Sequence, residues 1–524
     1  MRGAQGRSTI MGRLCLAALF ICLSICLAAA SRVGASPDPP CLQILGAART
    51  IGGSACLVQT GEERLLIDFG SNPSRKGGQE ETVLPLDPAS LDYVFVTHAH
   101  MDHAGSIPSL FRRGFRGRVI ATAATRELLA ASWPGSLRID RENGRADYDE
   151  GDIQTALASF QTASYDRRIV LSPTLAYRLR NAGHILGSAM VELWVGGKNG
   201  TVKVVATGDM GNGFPPLLPS PAEIDEGDVV IVESTHGAVL RETRTYRPFG
   251  EAVRQTLRAG GSVLIPAFTL DRTQKVLYVL GRLKAEGLIP AGTPVYADSP
   301  GAAAVTRIYR GHRGDLAQTT GTRPPERDVL SFPGLREVTG GEALEAHDRG
   351  RPAIYVTASG MLDHGWAPGH LARMIGDRRN LLALVGWQAP GSLGASLLSG
   401  AKVVRIPGRT AGGGGLGEVE QEREVRMRVR AFGFFSNHAD GCDILSWLAR
   451  FPRLRQVIVI HGEGTNAPDL ARFIERNLGF PASAPVARQI YPLSTSVPVY
   501  ERRLDGPPCR VLPVSRDWEQ PMDQ

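Results

Sequence analysis

Cysteine is scarce in this chain: 7 of 524 residues, three of which (Cys15, Cys22 and Cys26) fall near the start. No two stand as CxxC, so no zinc knuckle is implied. Past residue 30 no apolar run is long enough to cross a bilayer. There is no internal repeat, so nothing points to a repeat architecture. Charge of one sign is also lacking: 59 Lys and Arg against 52 Asp and Glu leave a formal +7. That balance mildly favours an anionic substrate but is too diffuse to identify a partner. The apolar fraction of 43% is ordinary for a globular chain with a large core, and the length allows two or three domains.

What is present begins with a leader. Arg2, Arg7 and Arg13 precede an uncharged apolar run over 14–30, and Ala28-Ala29-Ala30 and Val33-Gly34-Ala35 both end in small-x-small. Residues 1–35 therefore read as a secretory signal peptide. An uncleaved anchor is the alternative, with a run of about 17 residues at the short end for spanning. The expectation is an exported protein, periplasmic or secreted, with no integral span after cleavage. Cys41, Cys56, Cys442 and Cys509 would remain. An oxidising compartment allows one bridge, with Cys41–Cys509 and Cys41–Cys56 as candidates between which the sequence does not choose.

Histidine is sparse too, 11 in all, yet three of them lie in Thr97-His98-Ala99-His100-Met101-Asp102-His103. An apolar, strand-like run over 91–96 leads into this stretch, and a helical pattern over 104–111 follows, so it sits in a loop at a strand end. Imidazole and carboxylate together suit Zn²⁺ or a similar divalent ion. His98, His100, Asp102 and His103 cannot all reach one tetrahedral ion without strain, so the spacing suggests two adjacent ions. The pattern recurs along the chain: apolar strands stop, and Asp68, His184, Asp209, Glu233 or His461 stands just beyond. In layered α/β folds ligands gather at strand ends.

The coarse organisation follows. Residues 41–240 read as a first α/β unit, with 134–168 polar and without clear pattern. Residues 241–400 alternate strands and helices as a second unit. Residues 401–495 carry late motifs again at strand ends, so they rejoin the first sheet, and the middle unit is an insertion. A tail covers 496–524.

On these motifs the chain resembles the metallo-β-lactamase superfamily, in its β-CASP branch of nucleases, from about residue 42 to 476. Asp68, the HxHxDH stretch, His184 in Gly183-His184 and Asp209 in Gly208-Asp209 match the general motifs. Glu233 in Glu233-Ser234-Thr235, His438 in Ser436-Asn437-His438-Ala439-Asp440 and His461 in His461-Gly462-Glu463 match those of the branch. Pro266-Ala267-Phe268, Asp298-Ser299-Pro300, Ser359-Gly360-Met361 and Gly386-Trp387-Gln388 resemble signatures of its inserted domain.

The resemblance implies an α/β fold, a metallo-β-lactamase αββα sandwich with an inserted α/β β-CASP domain. It implies two Zn²⁺, with Mn²⁺ as a substitute. One ion would take His98, His100 and His184, the other Asp102, His103 and His461, and Asp209 would bridge them. Asp68 would orient a ligand histidine. Asp102, Glu233 and His438 would form the catalytic set, Glu233 holding His438 as imidazolium at the phosphate or leaving oxygen. Ser359, Gly360 and Met361 would offer backbone N–H groups to a phosphate. Arg241, Arg244, Arg247, Arg272 and Lys275 flank the presumed cleft and could bind phosphates, although solvated surface charge explains them equally well. His236, His312, His347, His364 and His370 lack ligand spacing and read as surface or loop residues. The implied activity is two-metal phosphodiester hydrolysis by activated water, on RNA first and DNA second. Hydrolysis of a small ester, a lactam or a non-nucleic phosphodiester on the same scaffold is the alternative.

Overall fold

A computed structural model describes residues 40–72, 83–240, 244–317, 328–338, 342–409 and 416–503. The expected leader, Arg241, Cys509 and most of the expected tail lie outside the described residues.

Two seven-stranded sheets face each other. The first opens with an antiparallel meander, Cys41–Ile44, Cys56–Gln59 and Arg64–Ile67. It continues in parallel through Tyr93–Phe95, Arg118–Ala121 and Phe160–Thr162. The second runs antiparallel through Leu175–Asn181, Ala189–Gly197 and Gly200–Ala206, then parallel into Val229–Glu233 and Gln456–Ile460. The inner faces meet through Leu42, Ile44, Val58, Phe95, Tyr177, Val191, Leu193 and Val204, all fully buried. Period-two alternation supplies this layer, because one face of each strand must be apolar to exclude water between the sheets. Helices cover both outer faces. Ala123–Glu142 and Glu150–Ala158 lie with one cluster, and Gly441–Leu448 and Asn466–Leu478 pack over the second sheet. The architecture is the αββα sandwich.

The 134–168 region turns out to be ordered. The helix Ala123–Glu142 passes through Pro134, because Trp133 and Leu137 are buried on its inner side and hold the turns around the missing hydrogen bond. Asp149 then starts Glu150–Ala158 with a capping box closed by Asp152. Both devices are local or tertiary, so apolar periodicity alone did not show them.

Between Val229–Glu233 and Gln456–Ile460 the chain builds a separate six-stranded sheet, all of it parallel. Its strands include Val263–Pro266, Val295–Asp298, Ile354–Thr357 and Leu381–Leu384. The return to the first domain comes later than position 401. Arg428–Ala431 still pairs with Leu381–Leu384 at the edge of this sheet. It reads as an exposed strand because Arg428 and Arg430 point to solvent while only Val429 packs against the core. Parallel strands need all their loops at one edge to serve one site. Here the chain leaves Arg428–Ala431 and reaches His438 seven positions on, so that edge faces the first domain. One apolar cluster joins the two: Leu128, Leu186 and Phe214 share it with Phe249, Leu277, Tyr309 and Phe435.

Neither candidate disulfide forms. Cys41 and Cys56 are free, and Cys442 is disulfide-bonded. Cys41 pairs in register with Gln59 while Cys56 pairs with Ile44. The two thiols are therefore offset by three positions, about 10 Å along the strands, too far for a bridge. His370 is not a surface residue either. It is fully buried, with Nε2 2.9 Å from Asp298 Oδ2 and Nδ1 2.9 Å from His347 Nε2. Among the described residues, no helix is long and apolar enough to cross a membrane.

Candidate metal centre

Each expected ligand stands where a strand gives out. Asp68 follows Arg64–Ile67, the histidine stretch follows Tyr93–Phe95, His184 follows Leu175–Asn181, Asp209 follows Gly200–Ala206, and His461 follows Gln456–Ile460. The two sheets deliver these ends to a common rim. Asp68 and His461 adopt positive φ, 61° and 56°, a strained conformation for non-glycine residues that tertiary context has to hold.

Two groups of donors assemble, and a third, Asp209, Glu233 and His461, shares one member with each. His98, His100, His184 and Asp209 offer ligand atoms within 4.8 Å of one another, and so do Asp102, His103 and His461. In the first group His100 Nδ1 is 3.1 Å from His98 Nε2 and 3.2 Å from His184 Nε2, and Asp209 Oδ2 is 3.5 and 3.6 Å from the same two nitrogens. In the second, His461 Nε2 is 3.2 Å from Asp102 Oδ2 and 3.4 Å from His103 Nε2, and His103 Nε2 is 3.3 Å from Asp209 Oδ1. A tetrahedron with metal–ligand bonds of about 2.0–2.1 Å has edges of about 3.3–3.4 Å. The spacings in both groups are those edges. Asp209 directs one oxygen to each group. Both oxygens are buried and receive no well-formed hydrogen bond, a costly state for a carboxylate unless a cation satisfies it. The donor set therefore fits two divalent ions that share Asp209.

The protonation states suit this use. Burial pushes His98 and His184 well below the ordinary imidazole value, and neighbouring histidines push the same way. Burial also lowers His100. The shift favours the uncharged rings, whose lone pairs a cation can use. Burial opposes ionisation of Asp209, but His461 and His103 outweigh it and hold the carboxylate well below its usual range. In Asp102 burial likewise loses, here to the hydrogen bond with His461 and the charge of His103. Burial works against a proton on His103, yet Asp209 and Asp68 raise its affinity for positive charge well above normal. The same two carboxylates favour a metal cation there.

Behind the donors lies a supporting layer. Asp68 accepts from the Thr97 N–H at 2.8 Å, from the Thr97 hydroxyl at 2.7 Å and from His103 Nδ1 at 2.7 Å. This turns His103 Nε2 toward the donor group. Thr97 Oγ1 also lies 3.1 Å from His98 Nδ1, and Thr235 Oγ1 lies 3.1 Å from His461 Nδ1. The threonines carried no signal in the sequence, since a hydroxyl beside a motif is common.

Glu233 lies within the same donor spacing of Asp209 and His461 but is engaged by other partners. Its carboxylate accepts from the Met210 N–H at 2.9 Å and the Thr235 N–H at 3.2 Å, and its two oxygens lie 3.0 and 3.1 Å from His438 Nδ1. Burial works against protonation of His438, but Glu233 and Asp209 outweigh it and raise its pKa. His438 keeps 20% of its side-chain surface exposed while Glu233 and Asp209 keep 1% each. It is thus the partly open member of the group. His236, beside it, places Nε2 2.9 Å from Ser436 Oγ.

The expected phosphate contacts fare less well. The Ser359 N–H donates to the His364 carbonyl at 3.2 Å, which leaves Gly360 and Met361 as the donors of that loop. Lys275 is buried against Asn437. Arg244 is tied to Asp443 and Asp440, and Arg272 to the Val385 carbonyl. These cations serve the protein's interior, and their sequence spacing gave no hint of it.

Comparison with known proteins agrees with this geometry. The metallo-beta-lactamase superfamily model matches residues 49–153, the Beta-Casp domain model residues 273–397, and the Zn-dependent metallo-hydrolase RNA specificity domain model residues 422–485. Ribonuclease TTHA0252 of Thermus thermophilus is 34% identical over 427 residues, covering 80% of this chain and 92% of its own length. The transcription termination factor FttA of Pyrococcus abyssi is 32% identical, covering 84% of this chain and 69% of its own. An RNase J-like protein of Methanocaldococcus jannaschii is 30% identical, covering 86% and 99%. A crystal structure of a protein of unknown function from Enterococcus faecalis V583 shares the fold, with TM-score 0.50 and 11% identity over 86% of this chain and 99% of that one.

Proposed function

The chain belongs to the metallo-β-lactamase superfamily, in its β-CASP branch, and on that premise we propose that it is a metal-dependent ribonuclease hydrolysing RNA phosphodiester bonds. The observation that carries the reading is the pairing of the two donor groups around Asp209 with the partly open His438–Glu233 pair beside them. A metal-only site would suit many hydrolases. An acid placed next to it suits a reaction that must protonate an alkoxide, as phosphodiester cleavage does.

Two divalent ions held there, Zn²⁺ on this reading, would supply Lewis acidity toward phosphate oxygens and lower the pKa of water. His98, His100 and His184 would hold one ion, and Asp102, His103 and His461 the other. Asp209, with one oxygen toward each group, would be shared between them and its charge would limit their mutual repulsion. Asp68 fixes the His103 ring. Glu233 keeps His438 protonated at Nδ1 and aims its outer edge toward the opening. His438 then stabilises the phosphate or donates its proton to the leaving oxygen. The chain's likeness to a relative named a ribonuclease, and to a family model described by RNA specificity, favours RNA over DNA or a small ester.

Export belongs to this proposal as well. It rests on the basic start, apolar run and small-x-small sites of residues 1–35.

The test uses end-labelled RNA and DNA with the Zn²⁺-loaded protein, the Mn²⁺-loaded protein and Asp209→Ala. Cleavage of RNA by the native chain and none by the variant is expected. Turnover of a small ester with neither polymer cut would overturn the reading.

A further inference from the structure

A buried polar knot lies between the inserted domain and the two loops that carry His184 and His438. At its centre is Asp271. It is fully buried and has φ +62° and ψ −44°. The Arg272 N–H donates back to the Leu270 carbonyl at 2.7 Å, so Asp271 is the middle residue of a γ-turn of the rare, strained hand. Strain of this kind persists only where the surroundings over-determine it.

The surroundings here are donors. The Tyr309 hydroxyl donates to Asp271 Oδ1 at 2.6 Å, and Asn437 Nδ2 donates to Oδ2 at 2.5 Å. Lys275 Nζ lies 3.6 Å from Oδ2 and donates to Asn437 Oδ1 at 2.6 Å. Tyr309, Lys275 and Asn437 are 0, 2 and 3% exposed. The knot thus joins the helices Arg272–Ala285 and Pro300–Gly311 to the residue immediately before His438. It also reaches the other loop, because the Leu186 N–H, two residues after His184, donates to the Tyr309 hydroxyl at 3.2 Å. A chain of hydrogen bonds therefore runs from the His184 loop through Tyr309 and Asp271 to the His438 loop. Neither loop is otherwise part of the inserted sheet.

We propose that Asp271 and Tyr309 are positioning residues through which the inserted domain holds the His184 and His438 loops in register with each other. The proposal deepens the ribonuclease reading and rests on it for its catalytic consequence. Its structural content stands separately. Neither residue touches the metal donors, so each acts through another: Tyr309 through Leu186, and Asp271 through Asn437. A carboxylate here does what a hydrophobic contact could not. It fixes two donors from separate elements at set distances and directions.

The experiment compares Tyr309→Phe, Asp271→Asn and the double variant in the full chain. Hydrogen exchange is read at the Leu186 amide and across 436–439, against amides in Val204–Ala206 and Val457–Val459. Exchange at the loop positions rises by about tenfold or more in either single variant, with the strand amides unchanged. With RNA as substrate, kcat falls by about tenfold or more and KM shifts by less than about threefold, because loop misplacement costs chemistry before binding. The double variant loses little more than the single ones, as expected of one coupled chain. Unchanged loop exchange, or exchange rising equally in the strands, would overturn the proposal, as would fully additive losses. If the native chain cleaves no RNA, the functional reading fails while the exchange measurement still decides this one.

Discussion

His438 and Glu233 meet across the rim of the donor groups, Nδ1 of the one lying 3.0 and 3.1 Å from the two carboxylate oxygens of the other. The pair comes from strands far apart in sequence. Glu233 closes Val229–Glu233, and His438 follows the last strand of the inserted sheet. The contact raises the pKa of His438 against the opposing effect of burial. Its sign fixes a pH dependence. The useful form is the protonated one, so kcat is highest below the folded-state pKa and falls as pH rises through it. Replacing Glu233 by Gln removes the charge that holds the proton. The alkaline limb of kcat then moves to lower pH, while His438→Ala lowers kcat by about 10²–10⁴-fold. A kcat–pH profile of E233Q whose alkaline limb coincides with that of the native chain would remove the acid role from His438.

Asp209 turns Oδ2 to His98 and His184 and Oδ1 to His103, and its oxygens have no other firm partner. Asp209→Asn keeps the shape but removes the negative charge of the bridge. The variant is expected to bind fewer than two divalent ions per chain, read by metal analysis after gel filtration, and to lose activity. Full retention of two ions would deny Asp209 the bridging position.

Asp68 acts one step back. It holds His103 Nδ1 at 2.7 Å and is itself held twice by Thr97. Asp68→Asn should weaken metal affinity by about 10–100-fold, the usual cost of losing a ligand's outer partner. Competition with a chelator measures this. A Kd within about twofold of the native value would make Asp68 a turn residue only.

Gly211 lies where the Asp209 loop passes over the His184 loop. A Cβ there would stand 1.9 Å from the Gly183 carbonyl oxygen. Gly211→Ala must push the two loops apart, so it is expected to cost about 1–3 kcal/mol of stability and to lower metal occupancy. Denaturant unfolding with parallel metal analysis checks both. An unchanged midpoint with full occupancy would show that the loops yield freely.

The leader makes its own prediction. Expressed in a bacterium with an intact export pathway, the chain should yield a mature N-terminus just after Ala30 or Ala35, outside the cytoplasm. N-terminal sequencing of the fractionated protein decides between this and a retained leader.

Residue types and local pattern marked the candidate ligands. His98 to His103, His184, Asp209 and His461 are chemically rare, and each follows an apolar strand. The layered α/β fold was legible for the same reason, because burial of strand faces is written into period two. Only the tertiary structure decided how these pieces meet. The register of Val229–Glu233 against Gln456–Ile460 places Glu233 beside Ile460, one residue from His461, and no local pattern encodes register between strands so distant. Arg428–Ala431 belongs to the inserted sheet because a neighbouring strand accepts it, and Cys41 and Cys56 stay free because their strands are offset. Arg244, Arg272 and Lys275 look from the sequence like surface cations. The fold turns them inward, where a charge survives only because a specific partner, named by the chain's path through space, lies within reach.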